Sequence, residues 1–147
     1  MRLVLSLLAL FMLAGCFEEE GPIPIRYGRD ECEFCRMIIS EARFAVEIQE
    51  PPAGRIHKFD DIGDAMHWLA KQSFADDPLA RIWVMSHVDG ATWLDARAAW
   101  YLPGSRSPMD YGFAAYPDEL DGAVSFDAMR ESVIERGSTT RCDEVPT

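Results

Sequence analysis

Of the 147 residues, 14 are Lys or Arg and 25 are Asp or Glu, a formal net charge of −11. Phosphate affinity comes from concentrated basic side chains, so the balance excludes nucleic acid as a partner. With 48% apolar and 11% aromatic residues there is material for a core, which argues against wholesale disorder and suits one domain or two very small ones.

Part of that apolar fraction lies outside the fold. Residues 1–15 run from Arg2 through an apolar stretch, Leu3 to Leu13, to Ala14-Gly15-Cys16, the form of a secretory signal ending in a lipobox. The stretch is too short to span a bilayer comfortably. Small residues fit the signal peptidase and the Cys16 thiol takes the lipid. Each buried acyl methylene contributes roughly 0.8 kcal/mol, so several acyl chains hold a protein to a membrane without a spanning helix. Loss of residues 1–15 removes Arg2 and leaves a net charge of −12. Residues 16–30, with Glu18-Glu19-Glu20, Gly21, Pro22 and Pro24, read as a flexible tether.

The alternation of Ala42, Phe44, Val46 and Ile48 with Arg43, Ala45 and Glu47 predicts a half-buried strand, closed by the turn Pro51-Pro52-Ala53-Gly54. A second strand spans Ile56 to Phe59. Asp60-Asp61 offers an N-cap to a helix with Ile62, Ala65, Met66 and Leu69 on one stripe, ending near Phe74. A third strand covers Arg81 to Val88, with Ile82, Val84 and Val88 on one face. The rest repeats the plan: strand-like residues from Ala91 to Leu102, a loop from Pro103 to Asp110, a strand from Phe113 to Tyr116, and a helix capped by Ser125 and stopped at Gly137. The expected architecture is α+β, two small related ββαβ-type units with a modest core each. Residues 31–90 make the first, residues 91–137 a ββα second, and residues 138–147 a disordered tail that contains Cys142.

The chemistry concentrates in Cys32-Glu33-Phe34-Cys35-Arg36-Met37, where two thiols and a thioether within six residues can converge on one soft cation. A C-x-x-C pair also suits half a zinc site, a redox disulfide or an inert structural one. Zinc asks for four ligands, and only the isolated His57, His67, His87 and Cys142 remain. A thioredoxin-like thiol pair follows a strand and opens a helix, whereas this motif precedes a strand. Met37 favours the soft-metal reading, because thioethers bind Cu(I), which accepts two or three ligands. Met109, in the turn-rich Ser107-Pro108-Met109-Asp110-Tyr111-Gly112, is either a second thioether ligand or packed over its loop. Met66 and Met129 fall on helix stripes and read as core, and Met85 is ambiguous. His67 is expected on an exposed helix face, while His57 and His87 are candidate nitrogen donors. Asp60, Asp61 and Asp64 read as helix capping and dipole compensation. No phosphate loop, Ser-His-Asp order or paired-carboxylate signature appears.

The Cys32–Met37 motif, the Cys16 lipobox, Phe59-Asp60-Asp61-Ile62 and Ser107-Pro108-Met109 with Gly112 and Ala114-Ala115 together resemble the NosL family of nitrous-oxide-reductase accessory lipoproteins, over about Asp30 to Val133. That resemblance implies a mercury-lyase-like fold and a periplasmic Cu(I) chaperone, not an enzyme, delivering copper for the copper-sulfide centre of nitrous oxide reductase. Cys32, Cys35, Met37 and Met109 are then the metal ligands and Cys16 the lipidation site. The implied partners are nitrous oxide reductase or its membrane-bound maturation complex, and the membrane through the anchor. Phe17 after the lipid cysteine points to the outer rather than the inner membrane. The alternative is a periplasmic thiol-disulfide oxidoreductase acting on metalloprotein cysteines. Arg36 departs from the glycine usual in the family, so it either strains the turn or places a cation near the thiolates. Cys142 carries no role over from the family.

Overall fold

In the computed structural model, residues 21–139 are described; the lipobox, Cys16, Glu18-Glu19-Glu20 and Cys142 lie outside them. Chain order gives strands β1 (Val46–Gln49) and β2 (Ile56–Phe59), helix α1 (Ile62–Leu69), strands β3 (Arg81–Met85), β4 (Trp93–Asp95), β5 (Trp100–Pro103) and β6 (Phe113–Tyr116), and helix α2 (Phe126–Arg136). This is an α+β chain with two antiparallel sheets, one of order β2-β1-β3-β4 and a β5-β6 ribbon.

The register of β1 explains the first sheet. Val46 pairs with Phe59 and Val84, and Ile48 with His57 and Ile82. The side chains of Val46, Ile48, Phe59, Ile82 and Val84 join Ile62, Ala65, Met66 and Leu69 of α1 in the core. Four apolar positions at helical spacing therefore meet three strands at period two. Tyr101, Phe126, Met129 and Val133 belong to the same cluster, so the expected two cores are one continuous core. Helices α1 and α2 pack on each other and close it. Met66 and Met129 are fully buried in it, as their stripes require, and Met85 is buried too.

The boundaries that differ have local causes. Ala42–Phe44 is a 3-10 turn rather than strand, with Phe44 N bonded to Glu41 O and Ala45 N to Ala42 O. Helix α1 stops at Leu69 instead of Phe74 because the stripe lapses: the next core positions on that spacing are Gln72 and Ser73. Strand β3 ends at Met85, since Asp89-Gly90 forms the turn of a β3-β4 hairpin. The Asp89 carboxylate accepts from the Ala91 and Thr92 amides, and Gly90 adopts φ 66°. Val88, assigned to the face of Ile82 and Val84, sits on that turn and is exposed. For the same reason β4, read as the start of the second repeat, pairs with β3 in the first sheet.

The segment before the cysteines crosses the other face of the sheet. Ile23 N donates to Glu47 Oε2 at 2.8 Å, and Lys58 Nζ donates to Pro24 O at 2.9 Å and Asp30 Oδ2 at 2.7 Å. Glu47 is therefore wholly buried, although the alternation of β1 points it away from α1.

Candidate metal site

The cysteine motif is a tight turn fastened to the edge of the sheet. Cys32 N bonds Met37 O at 2.8 Å and Arg36 N bonds Cys32 O at 3.0 Å, closing the turn, and Glu31 bridges Ile38 across it. Glu33 N donates to Lys58 O of β2 at 2.8 Å, where the edge strand has a free acceptor row. The Glu33 carboxylate adds contacts to Arg55 at 3.0 Å and to His57 Nδ1 at 3.5 Å. Arg36 closes the turn at φ 63°, a left-handed conformation that glycine reaches without strain. Its guanidinium pairs with Glu31 at 3.1 Å in solvent.

Opposite the turn stands the start of α1. Asp61 is the N-cap, its side chain accepting from Gly63 N at 3.0 Å. That places Asp60 just before the helix and Asp64 in its first turn, both facing the thiols. Cys32 Sγ donates to Asp64 Oδ2 at 3.5 Å and Cys35 Sγ to Asp60 Oδ1 at 3.6 Å. The four ligand atoms lie within 4.8 Å of one another, and all four residues are buried. Two sulfurs flanking one ion stand about 4.6 Å apart, twice a metal–thiolate bond of about 2.3 Å, so the cluster is the size of a single-ion site.

Its electrostatics favour protons when no cation is present. The Cys35 thiol is pushed up by its neighbour Cys32, by burial and by Asp64. Burial, assisted by Asp60 and Asp61, raises the Asp64 carboxyl to about 6, and Asp61 is raised as well, again chiefly by burial. Both cysteines are free thiols. Of the two readings of Arg36, its left-handed φ fits the strained turn, and its guanidinium is paired with Glu31.

The remaining sequence candidates fall in distinct places. Met37 is 55% exposed at the outer end of the turn. Met109 packs, partly buried, against the core that holds both thiols, and its amide donates to Asp61 Oδ2 at 3.0 Å. His57 is held by Glu50 at 2.7 Å and packs on Trp68, and His87 lies between Phe44 and Tyr116; neither joins the cluster. His67 is not on an open face: its ring lies between Phe34 of the cysteine motif and Tyr111. Asp60 and Asp64 are the residues that sequence reasoning missed, since capping accounts for Asp61 alone. No local spacing marks them, because Asp60 lies before the N-cap and Asp64 within the first turn, and they meet only where the cysteine turn docks. They also supply the two ligands whose absence spoke against zinc, giving a Cys₂Asp₂ set.

Residues 23–146 match the family model NosL. The fold is similar to the crystal structure of the copper chaperone NosL from Shewanella denitrificans, with TM-score 0.56 and 18% identity over 86% of this chain and 96% of that one. No individual curated protein matches the sequence. The family model spans most of the 147 residues and includes the whole Cys/Asp cluster, and on that match the chain belongs to the NosL family.

Proposed function

We propose that this protein is a Cu(I) carrier, a chaperone rather than an enzyme, whose cargo is held by Cys32 and Cys35 with thioether help from Met37 and Met109. The observation that carries the reading is the buried pair of thiols facing two carboxylates at single-ion spacing, with a half-exposed thioether at the rim. Soft sulfur ligands select Cu(I), and its d¹⁰ configuration tolerates two or three of them. Loading replaces thiol protons by the cation. Asp60 and Asp64 already accept those protons as hydrogen bonds, so they are the immediate relay for them. Filled, the cavity holds a cation against anionic ligands; without one, the raised Cys35 thiol keeps its proton, which limits the unpaired charge buried there. Met37, exposed next to buried sulfur, is suited to take the ion first and release it last by ligand exchange.

The finer reading is that Cys16 carries lipid, that the protein works in the periplasm at the outer membrane, and that the copper supports the copper-sulfide centre of nitrous oxide reductase through that enzyme or its membrane-bound maturation complex. Family membership, the lipobox and the Shewanella chaperone support it. Among the described residues no helix is long and apolar enough to cross a membrane.

Anaerobic Cu(I) titration against a competing chelator tests the carrier. Cys32→Ser and Cys35→Ser are expected each to weaken binding at least tenfold, and unchanged affinity in both would contradict the reading. The Cys₂Asp₂ set supports a zinc reading as well; Zn(II) binding that Cu(I) cannot displace would favour it. The thiol-disulfide oxidoreductase alternative requires a solvent-reachable thiol in electropositive surroundings, whereas Cys32 and Cys35 are buried and face carboxylates. Rapid disulfide exchange with glutathione would restore that alternative.

A further inference from the structure

Asp61 does more than an N-cap requires. One oxygen, Oδ1, accepts the Gly63 amide at 3.0 Å, which is the whole of the capping function. A serine or threonine would cap equally well without burying a carboxylate, and Asp61 is fully buried. The second oxygen, Oδ2, reaches across the chain: Ser107 Oγ donates to it at 2.6 Å and the Met109 amide at 3.0 Å. Ser107 is itself buried, and its hydroxyl oxygen accepts the Gly112 amide at 2.9 Å, so the hydroxyl is committed on both sides. The loop around Met109 is thus pinned at its start and end through one hydroxyl, and in the middle through one amide. Met109 O takes a further bond from Thr139 Oγ1 at 2.9 Å. The residue before Asp61 faces Cys35 and the residue three after it faces Cys32.

We infer that Asp61 is a positioning residue for the metal: its Oδ2 fixes the Met109 loop in register with the Asp60/Asp64 side of the site, so that the Met109 thioether is presented to the ion. This rests on the reading of Met109 as a Cu(I) ligand. Outer partners of this kind are worth roughly 10–100-fold in metal affinity.

The test is a mutant cycle on the purified full chain, read by anaerobic Cu(I) competition. Met109→Leu should weaken Cu(I) binding by about tenfold or more. Asp61→Ser keeps an oxygen for the Gly63 amide and loses the second one, so a residue that only caps would be rescued by it. It is expected instead to weaken binding about as much as Met109→Leu, and to cost little further in the Met109→Leu background, because both changes remove one interaction. Ser107→Ala leaves the cap untouched and repeats the test should Asp61→Ser fail to fold. In the same samples the ¹³C-methyl resonance of Met109, expected to shift on Cu(I) addition in the parent, should lose that shift in Asp61→Ser and Ser107→Ala. If Met109→Leu binds Cu(I) as tightly as the parent, the ligand reading falls and the positioning role falls with it. If Met109→Leu weakens binding while Asp61→Ser and Ser107→Ala bind like the parent, or if the losses add in full, the positioning role alone is overturned.

Discussion

Glu47 lies at the centre of β1, wholly buried beneath the segment that precedes the cysteines, with Oε2 on the Ile23 amide and Oε1 without a hydrogen bond. Burial raises its carboxyl from 4.5 to about 7, against the Ile23 bond and Lys58, which pull it down, while Asp30 adds to the rise. A raised acid favours the folded state most where it is protonated in both states. The stability is therefore fully present below pH 4.5 and is lost as pH rises through 7. The span from 4.5 to 7 corresponds to about 3 kcal/mol. Glu47→Gln keeps the size and an acceptor for Ile23 but cannot ionise. Asp64 and Asp61, also raised, act in the same direction in both proteins, so the difference between parent and variant isolates Glu47. The assay is urea unfolding of the metal-free protein followed by tryptophan fluorescence between pH 5 and 8. With a urea dependence of about 2 kcal/mol per molar, the parent midpoint should fall relative to Glu47→Gln by about 1–1.5 M over that range. Midpoints that move in parallel would refute the buried, ionisable Glu47 and the packing of residues 21–30 that creates it.

Arg36→Gly should relieve the left-handed turn at φ 63°, and after the added chain entropy of glycine it should stabilise the protein by about 0.5 kcal/mol; Arg36→Val, branched at Cβ, should cost more than about 1 kcal/mol, both read from urea midpoints. Gly63→Ala places a Cβ inside the buried Tyr111 ring, so despite the better helix propensity it should lose about 2–3 kcal/mol and lower Tm by about 10 °C. Because Cys32, burial and Asp64 hold the Cys35 thiol protonated, Cu(I) binding at pH 7 should release at least about one proton, measured by calorimetry in buffers of different ionisation enthalpy; no release would mean that Cys35 does not bind as a thiolate.

Much of this was legible in residue order because its causes are local. The Ile62, Ala65, Met66 and Leu69 stripe, the Ser125 cap on Ala128 and the stop at Gly137 are near-neighbour effects, and they stand as read. Cys32 and Cys35 were legible for the same reason, being three residues apart. The carboxylate half of the site was not, since only the docking of the cysteine turn on β2 brings residues 60 and 64 to residues 32 and 35. Glu47 escaped notice because alternation says which way a side chain points and nothing of what covers that face. Asp61 looked like an ordinary cap because its other partners are 46 and 48 residues away.

The most direct measurement of the central claim is X-ray absorption at the copper edge of the Cu(I)-loaded protein, compared with its Cys32→Ser/Cys35→Ser form. The expected result is a shell of two to three sulfur neighbours at about 2.2–2.3 Å that loses its thiolate component in the double variant. A first shell of nitrogen and oxygen alone, or one identical in the two proteins, would contradict it.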